Sequence, residues 1–95
     1  MTAETEVHEP ATEKGLSLYQ YRSCPYCAMT SHAINQMGMN IEHRDIWMQP
    51  EYRAELIQEG GSSQVPCLRI EKDDGKTDWL YESTDIIEYL RGRSE

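Results

Sequence analysis

A short alternating segment that leads directly into a pair of cysteines is the feature that most constrains how this chain folds. Residues 16–21 (LSLYQY) alternate apolar and polar side chains, which is typical of a β-strand. Cys24 and Cys27 follow, and Pro25 between them suits the first turn of a helix, where its missing N–H costs nothing. The sequence therefore predicts a strand, a turn at the cysteines and a helix, in that order.

The patterns beyond this segment extend the order to β-α-β-α-β-β-α. Met29, Ala33 and Met37 recur every four residues, and together with Ile34 they predict the apolar face of the helix after the cysteines. The later signals are a strand over 41–46, a helix opened by Pro50, a strand over 67–70, a hairpin turn at 73–75, a return strand over 77–82 and a last helix with Ser83 as its N-cap. A strand–helix–strand unit gives a parallel pair and a hairpin an antiparallel one. We therefore expect an α/β fold with a mixed four-stranded sheet flanked by three helices.

Length and charge limit what such a chain can do. Its 95 residues suit one domain, which we place over 15–95, and residues 1–14 are polar and acidic enough to predict a disordered or weakly ordered tail. The tail lacks the apolar segment of a secretory signal, and no apolar run approaches the roughly 18 residues of a membrane span. A net charge of −8 disfavours nucleic-acid binding, which needs a basic surface. We expect a cytoplasmic protein without nucleic-acid or membrane partners.

The position of the cysteine pair indicates redox chemistry. A cysteine at a helix start faces unpaired backbone N–H groups and the positive end of the helix dipole, which favour its thiolate. Cys24 is therefore the expected exposed nucleophile, and Cys27, one turn later on the same face, can resolve a mixed disulfide with it. Arg22 adds positive charge beside the thiolate or is simply a solvated surface residue.

Other readings of the cysteines remain open from the residues alone. A structural zinc site needs four ligands. Only Cys67 together with His32 or His43 could join Cys24 and Cys27 to complete such a site. The pair could also be inert and buried. Cys67 is either a core residue or a third redox-sensitive thiol, while Trp47 and Trp79 are expected in the core or at its boundary.

Two motifs resemble a known family. Residues 18–34 (LYQYRSCPYCAMTSHAI) resemble the active-site segment of dithiol glutaredoxins, whose hallmark is the CPYC motif, here Cys24-Pro25-Tyr26-Cys27. Residues 64–66 (QVP) resemble the family's Thr-Val-Pro, whose proline is cis. The resemblance covers about residues 16–92 and implies a thioredoxin-like fold. It also implies a glutathione-dependent thiol–disulfide oxidoreductase that reduces protein disulfides or glutathione mixed disulfides through a Cys24/Cys27 dithiol.

The resemblance also implies a glutathione site. Its expected members are Tyr21, Arg22, Tyr26, Gln64, Val65, Pro66, Glu82, Ser83, Thr84 and Asp85. Tyr21 departs from the family, because many glutaredoxins carry there a lysine that pairs with the glycine carboxylate of glutathione; Arg22 is the candidate substitute. Glu82-Ser83 also resembles the N-terminal domain of glutathione transferases, where Glu-Ser holds the γ-glutamyl group.

The partners follow from the same resemblance. We expect glutathione as reductant, disulfide-bearing or glutathionylated proteins as substrates, no metal, and a monomer. Two alternatives stay open: a redoxin reduced by thioredoxin reductase, and a module that holds an iron–sulfur cluster with glutathione. Pro25 disfavours the second alternative because it stiffens the loop at the nucleophile.

Overall fold

Four strands form one mixed sheet in the computed structural model, which describes residues 13–94. They are β1 (Leu16–Gln20), β2 (Glu42–Asp45), β3 (Cys67–Glu71) and β4 (Thr77–Leu80). The spatial order is β2-β1-β3-β4, with β2 parallel to β1 and the other two pairs antiparallel. This confirms the predicted α/β class and the mixed character of the sheet.

Three helices complete the predicted element order. They are α1 (Pro25–Gln36), α2 (Pro50–Glu55), which continues into a π-helical turn (Leu56–Gly60), and α3 (Ser83–Ser94). Proline lies in the first turn of both α1 and α2, where a helix does not use that N–H. α1 is the crossover that the parallel β1–β2 pair requires.

The central strand β1 is buried on both faces, and each face supports a different core. Leu16 and Leu18 pair with Ile70 and Leu68 on one face, where side chains from α1 and α3 cover them. Tyr19 and its partner Cys67 lie on the other face, where Leu56 packs against them. The sheet is therefore sandwiched between α1 and α3 on one side and the α2 segment on the other.

A charged network surrounds the one phenol buried within β1. Tyr19 donates its hydroxyl proton to the Glu55 carboxylate and accepts a hydrogen bond from Arg44 at 2.8 Å. Arg44 also pairs with Glu55 at 2.7 Å and with Glu42 at 3.1 Å. Burial, followed by the bond to Glu55, holds the pKa of Tyr19 well above its usual value. The network ties β1 to β2 and α2.

The buried face of the helix after the cysteines differs in part from the predicted one. Ile34 is buried and Met37 packs against the core, as predicted, but Met29 is 44% exposed, and Cys27 and Thr30 are buried instead. Thr30 tolerates this position because its hydroxyl donates to the Tyr26 carbonyl at 2.8 Å. Thr30, whose hydroxyl is satisfied within its own helix, is therefore buried in place of Met29, which the apolar spacing predicted to be buried.

Two predicted boundaries also differ. β4 ends at Leu80 rather than at residue 82. The carbonyl of Glu82 accepts the Ile86 N–H at 2.9 Å, so Glu82 occupies the capping position and Ser83 begins the first turn. The shift places the first free N–H groups of α3 one residue earlier than the sequence suggested.

Most of the predicted N-terminal tail lies outside the described residues, and its boundary stays a prediction. Of its last two residues, Glu13 donates its backbone N–H to the Asn40 carbonyl at 2.7 Å. In the part of the chain from 13 to 94, none of the helices combines the length and the apolar character needed to cross a membrane.

Gly60 offers a test of packing between the π-helical turn and β4. A Cβ at Gly60 would press on the Tyr81 hydroxyl and lie 2.9 Å from the Trp79 ring, whereas one at Gly92 would meet nothing within 4 Å. We expect Gly60→Ala to lower the free energy of unfolding by about 1–3 kcal/mol through overpacking. Gly92→Ala should raise it by up to about 1 kcal/mol, because alanine favours a helix. Urea unfolding followed by circular dichroism measures both, and equal stability of the two variants would contradict this packing.

Candidate active site

The predicted site residues meet at one edge of the sheet. β1, β2 and β4 end at this edge and β3 begins there, as the strand pairings require. The four connections at the edge carry Tyr21–Cys24 after β1, residues 46–49 after β2, Val65–Pro66 before β3 and Tyr81–Ser83 after β4. In α/β sheets the carboxyl ends of parallel strands are the usual place for a ligand.

Cys24 caps the helix that follows it. Its backbone is extended (φ −83°, ψ 117°), and its Sγ accepts the Cys27 N–H at 3.2 Å. The Cys24 N–H donates to the Tyr21 carbonyl at 3.3 Å, which fixes the turn before the helix. The sulfur thus lies where the first N–H groups and the dipole of α1 stabilise a negative charge. This is the arrangement that the strand–turn–helix pattern predicted.

The expected exposure of Cys24 is wrong. Only 4% of the residue is exposed, and Cys27 is 1% exposed. The reason is the cap itself, because a sulfur that accepts an N–H from the first turn lies against the helix end rather than in solvent. All three cysteines, including Cys67, are free thiols.

Cys27 has the opposite environment. Burial, followed by the hydrogen bond with Cys24, raises the pKa of the Cys27 thiol to about 12, although a hydrogen bond with the Tyr21 backbone partly opposes this. Cys27 is therefore protonated at neutral pH. The two cysteines therefore lie in different environments, Cys24 at the helix end and Cys27 within its first turn.

A cavity of about 310 Å³ opens beside the cysteine turn. Its lining residues are Tyr26, Gln64, Val65, Pro66, Tyr81, Glu82 and Ser83. Six of these seven are residues that the sequence assigned to glutathione, and the Val65–Pro66 peptide bond is cis, as the resemblance implies. A larger groove of about 530 Å³ lies at the opposite edge of the sheet, beside Gly15 and Glu71, and contains none of these residues.

Four predicted glutathione residues do not line this cavity. Tyr21 stacks its ring on Trp47, with centroids 4.1 Å apart and planes 10° apart. Arg22 is exposed and forms no ion pair with any residue of the described segment. Thr84 and Asp85 are exposed on the first turn of α3, next to the lining residue Ser83. Their assignment to glutathione stays a prediction.

Tyr81 is the lining residue that the sequence analysis did not include among the expected members of the glutathione site. It was read as part of the return strand, and its position directly after β4 and before Glu82 brings its ring to the cavity. Its hydroxyl is buried beside Gly60 and near Cys67, and burial followed by the Cys67 thiol raises its pKa. The one available signal was its closeness to Glu82-Ser83, a motif already assigned to the site.

Cys67 lies behind the cavity and not in it. The residue is fully buried, and burial raises the pKa of its thiol to about 12, although the Tyr81 hydroxyl partly opposes this. This position favours the core role over the redox role. Among residues 13–94 no group of three or more histidine, cysteine, aspartate or glutamate residues is arranged to hold a metal ion.

Comparison with known proteins identifies the family. The family model for glutaredoxin matches residues 16–74, which is more than half of the chain. The chain belongs to the glutaredoxin family. A search of curated proteins found no match.

Similar solved structures agree with this family and fold. Maleylacetoacetate isomerase from Anaeromyxobacter dehalogenans, with glutathione bound in its active site, is 30% identical with a TM-score of 0.62 over 83% of this chain and 37% of that one. Glutaredoxin 2 from Salmonella typhimurium, in complex with glutathione, is 28% identical with a TM-score of 0.62 over 82% of this chain and 33% of that one. The present chain spans about a third of the length of each of these two proteins.

A third structure matches at nearly full length on both sides. Glutaredoxin from Brucella melitensis is 21% identical with a TM-score of 0.54, over 88% of this chain and 85% of that one. At this identity the likeness concerns the fold alone. Together with the element order and the mixed sheet, it confirms the thioredoxin-like fold that the CPYC resemblance implied.

The raised pKa of Cys67 predicts a loss of stability in alkali. Above its usual value near 9 the thiol ionises in the unfolded chain, while in the folded chain it keeps its proton up to about pH 12. The folded state therefore binds more protons in this window, and the free energy of unfolding should fall as pH rises from 9 to 12. We expect Cys67→Ala to make this fall shallower in urea unfolding measured at successive pH values. At pH 6–8 the difference in the free energy of unfolding between Cys67→Ala and wild type should stay constant. If the two proteins lose stability in parallel above pH 9, the raised pKa of Cys67 is contradicted.

Proposed function

We propose that this glutaredoxin is a glutathione-dependent thiol–disulfide oxidoreductase. The observation that carries the proposal is the position of Cys24, whose Sγ caps α1 and accepts the Cys27 N–H at 3.2 Å next to the cavity of about 310 Å³. A thiolate stabilised by a helix start is the attacking group of thiol–disulfide exchange. A cavity beside it supplies the place for the glutathione half of a mixed disulfide.

The first step in this proposal transfers glutathione to the protein. The Cys24 thiolate attacks the glutathione sulfur of a mixed disulfide, a new S–S bond forms between Cys24 and glutathione, and the bond to the substrate sulfur breaks. The substrate leaves as a thiolate and takes up a proton. Helix α1 first stabilises the charge on Cys24, and that charge passes to the leaving sulfur as the bond exchanges.

The second step restores the enzyme. A glutathione thiolate attacks the glutathione sulfur bound to Cys24, which releases oxidised glutathione and regenerates the Cys24 thiolate. For a protein disulfide, Cys24 first attacks one of its two sulfurs and forms a mixed disulfide with the protein. Cys27 then loses its proton and attacks the Cys24 sulfur, which forms the Cys24–Cys27 disulfide and releases the reduced protein. Two molecules of glutathione reduce this disulfide to the dithiol and leave as oxidised glutathione. Burial is the main cause of the high pKa of Cys27, about 12, and a mixed disulfide at Cys24 removes the smaller contribution of that neighbouring sulfur.

The cavity lining supports a role for glutathione in both steps. Ser83 begins α3, a helix of 12 residues, so backbone N–H groups and the positive end of its dipole face this side and suit a carboxylate. Glu82 supplies a carboxylate for the ammonium group of the γ-glutamyl end. Val65 offers its backbone to the peptide part of the ligand, as the Thr-Val-Pro resemblance implies.

Arg22 is the proposed partner of the second carboxylate. Tyr21 occupies the position of the family's lysine and is engaged with Trp47, so it brings no charge there. Arg22 is exposed, adjacent to the cysteine turn and without an ion-pair partner among the described residues, so its guanidinium is available. Guanidinium and carboxylate groups match in geometry and charge.

Single cysteine variants test the mechanism. We expect Cys24→Ser to lose turnover of glutathione mixed disulfides by at least about a thousandfold, because the nucleophile is gone. Cys27→Ser should keep this turnover and lose the reduction of protein disulfides. The measurement is NADPH oxidation in two coupled systems, one with glutathione and glutathione reductase and one with thioredoxin reductase.

The outcomes of this assay separate the alternatives. Activity of wild type in the glutathione system alone supports the proposal. Activity with thioredoxin reductase alone would assign the other electron donor, and activity that survives Cys24→Ser would refute the nucleophile. Visible absorbance in protein purified without air would favour the cluster-binding alternative.

Ser83 gives a separate test of the cavity. Ser83→Ala removes a hydroxyl from the lining, and we expect KM for glutathione to rise by at least about tenfold through the loss of one hydrogen bond to a charged group. Ser31→Ala is the matched control, because that hydroxyl contacts His43 and lies outside the cavity. Steady-state kinetics at varied glutathione measures both, and equal KM values for the two variants would remove Ser83 from the site.

A further inference from the structure

A second set of exposed side chains lies on the other side of Cys24 from the cavity. The edge of the sheet runs from β2 through β1 to β3 and β4, so Cys24, after β1, lies between the loop after β2 and the cavity residues around β3 and β4. In the loop after β2, Trp47 is 63% exposed and Met48 is 70% exposed. Together with Tyr21 we call these residues the Trp47 platform.

The platform is held in place by its own loop. The Asp45 carboxylate accepts the N–H groups of Trp47 and Met48, each at 2.9 Å. The Ile46 N–H donates to the Gln20 carbonyl at 3.0 Å, and the Ile46 side chain is buried. Large apolar side chains are therefore presented to solvent by a fixed turn, which is an arrangement that favours binding over packing.

The free face of Trp47 suits a cation. Elsewhere in the described residues, guanidinium groups lie over aromatic rings: Arg44 over Tyr19 and Tyr52, and Arg69 over Trp79, at 5.4–5.7 Å. None of these cations covers Trp47, whose other face is stacked on Tyr21. Tryptophan is the best aromatic partner for a cation, and a net charge of −8 attracts basic partners.

We infer that the Trp47 platform binds the polypeptide segment that flanks the glutathionylated cysteine of a protein substrate, and that this segment carries a lysine or arginine over Trp47. The inference rests on the proposed function. A mixed disulfide has two halves, one on each side of the attacked bond. With glutathione in the cavity on the β3–β4 side, the polypeptide half leaves Cys24 toward β2, where the platform lies.

The test compares three glutathionylated substrates. Two are peptides with the same glutathionylated cysteine, one flanked by lysine and arginine and one by aspartate and glutamate, and the third is a small mixed disulfide without a peptide. Each is assayed with wild type, Trp47→Ala, Trp47→Phe and, as a matched control, Ile57→Ala. Ile57 is an exposed apolar residue, 39% exposed, in the π-helical turn and outside the platform.

We expect Trp47→Ala to lower kcat/KM for the basic peptide about tenfold, mainly through KM, with a smaller loss for Trp47→Phe because a ring remains. Turnover of the small disulfide should not change, Ile57→Ala should match wild type on all three substrates, and the acidic peptide should be the poorer peptide for wild type. Equal losses of Trp47→Ala on the basic peptide and the small disulfide would assign Trp47 a structural role and overturn the inference. An equal loss of kcat/KM on both peptides would show that Trp47 does not recognise a cation, and it would also overturn the inference. No loss of kcat/KM on either peptide would overturn it as well.

A binding measurement separates this inference from the proposed function. A dye-labelled basic peptide with serine in place of cysteine cannot react, and its fluorescence anisotropy reports binding alone. If wild type has no redox activity but binds this peptide more tightly than Trp47→Ala does, the proposed function fails and the docking surface stands. If activity is present and the two proteins bind equally, the docking surface fails. A dimer in sedimentation that Trp47→Ala dissociates would assign the platform to a second copy instead.

Discussion

Hydrogen bonding of β1 on both of its sides is the constraint on which the rest of this structure depends. The strand has a parallel neighbour in β2 and an antiparallel one in β3, and a parallel neighbour requires a crossover helix. That helix, α1, must start at the edge where β1 ends, so Cys24 necessarily lies at a helix N-terminus. The antiparallel strand brings Pro66 to the same edge from a distant part of the sequence. The site is thus a consequence of strand order, and the chemistry of Cys24 follows from where the crossover begins.

Burial then makes three identical side chains different. The sulfur of Cys24 accepts an N–H group at the start of α1. Cys27 lies within the first turn, and its pKa is raised to about 12. The pKa of Cys67, which packs beside Tyr19, is also raised to about 12. All three residues are less than 5% exposed. Cys24 differs from the other two in its place at the N-terminal end of a helix, where its sulfur accepts an N–H group from the first turn. An acceptor position at a helix end, rather than exposure to water, therefore separates the candidate nucleophile from its neighbours.

The sequence predicted the parts of this protein that depend on local pattern. Strand alternation, proline at helix starts and the glycine turn of the hairpin each depend on a few adjacent residues, and the element order was right. The misses depend on how a single polar side chain is satisfied or on contacts between distant residues. Met29 was assigned to the buried face because nothing local shows that Thr30 satisfies its hydroxyl within its own helix. Tyr81 was missed because only the pairing of β3 with β4 brings it to the cavity, and Trp47 was placed in or near the core because its stack on Tyr21 is a tertiary contact.

The departure at Tyr21 links the two sides of the candidate site. A lysine there would supply charge to glutathione, whereas the tyrosine supplies a flat apolar surface on which Trp47 stacks. An aromatic stack loses little side-chain freedom on binding, because its rings are already fixed by each other and by the Asp45 turn. On the proposed function, one substitution therefore reduces the charge available to glutathione, leaving Arg22 to supply it, and provides an ordered surface for the other half of the disulfide. Discrimination among substrates would then rest more on the polypeptide attached to glutathione than on glutathione itself, which every such substrate shares.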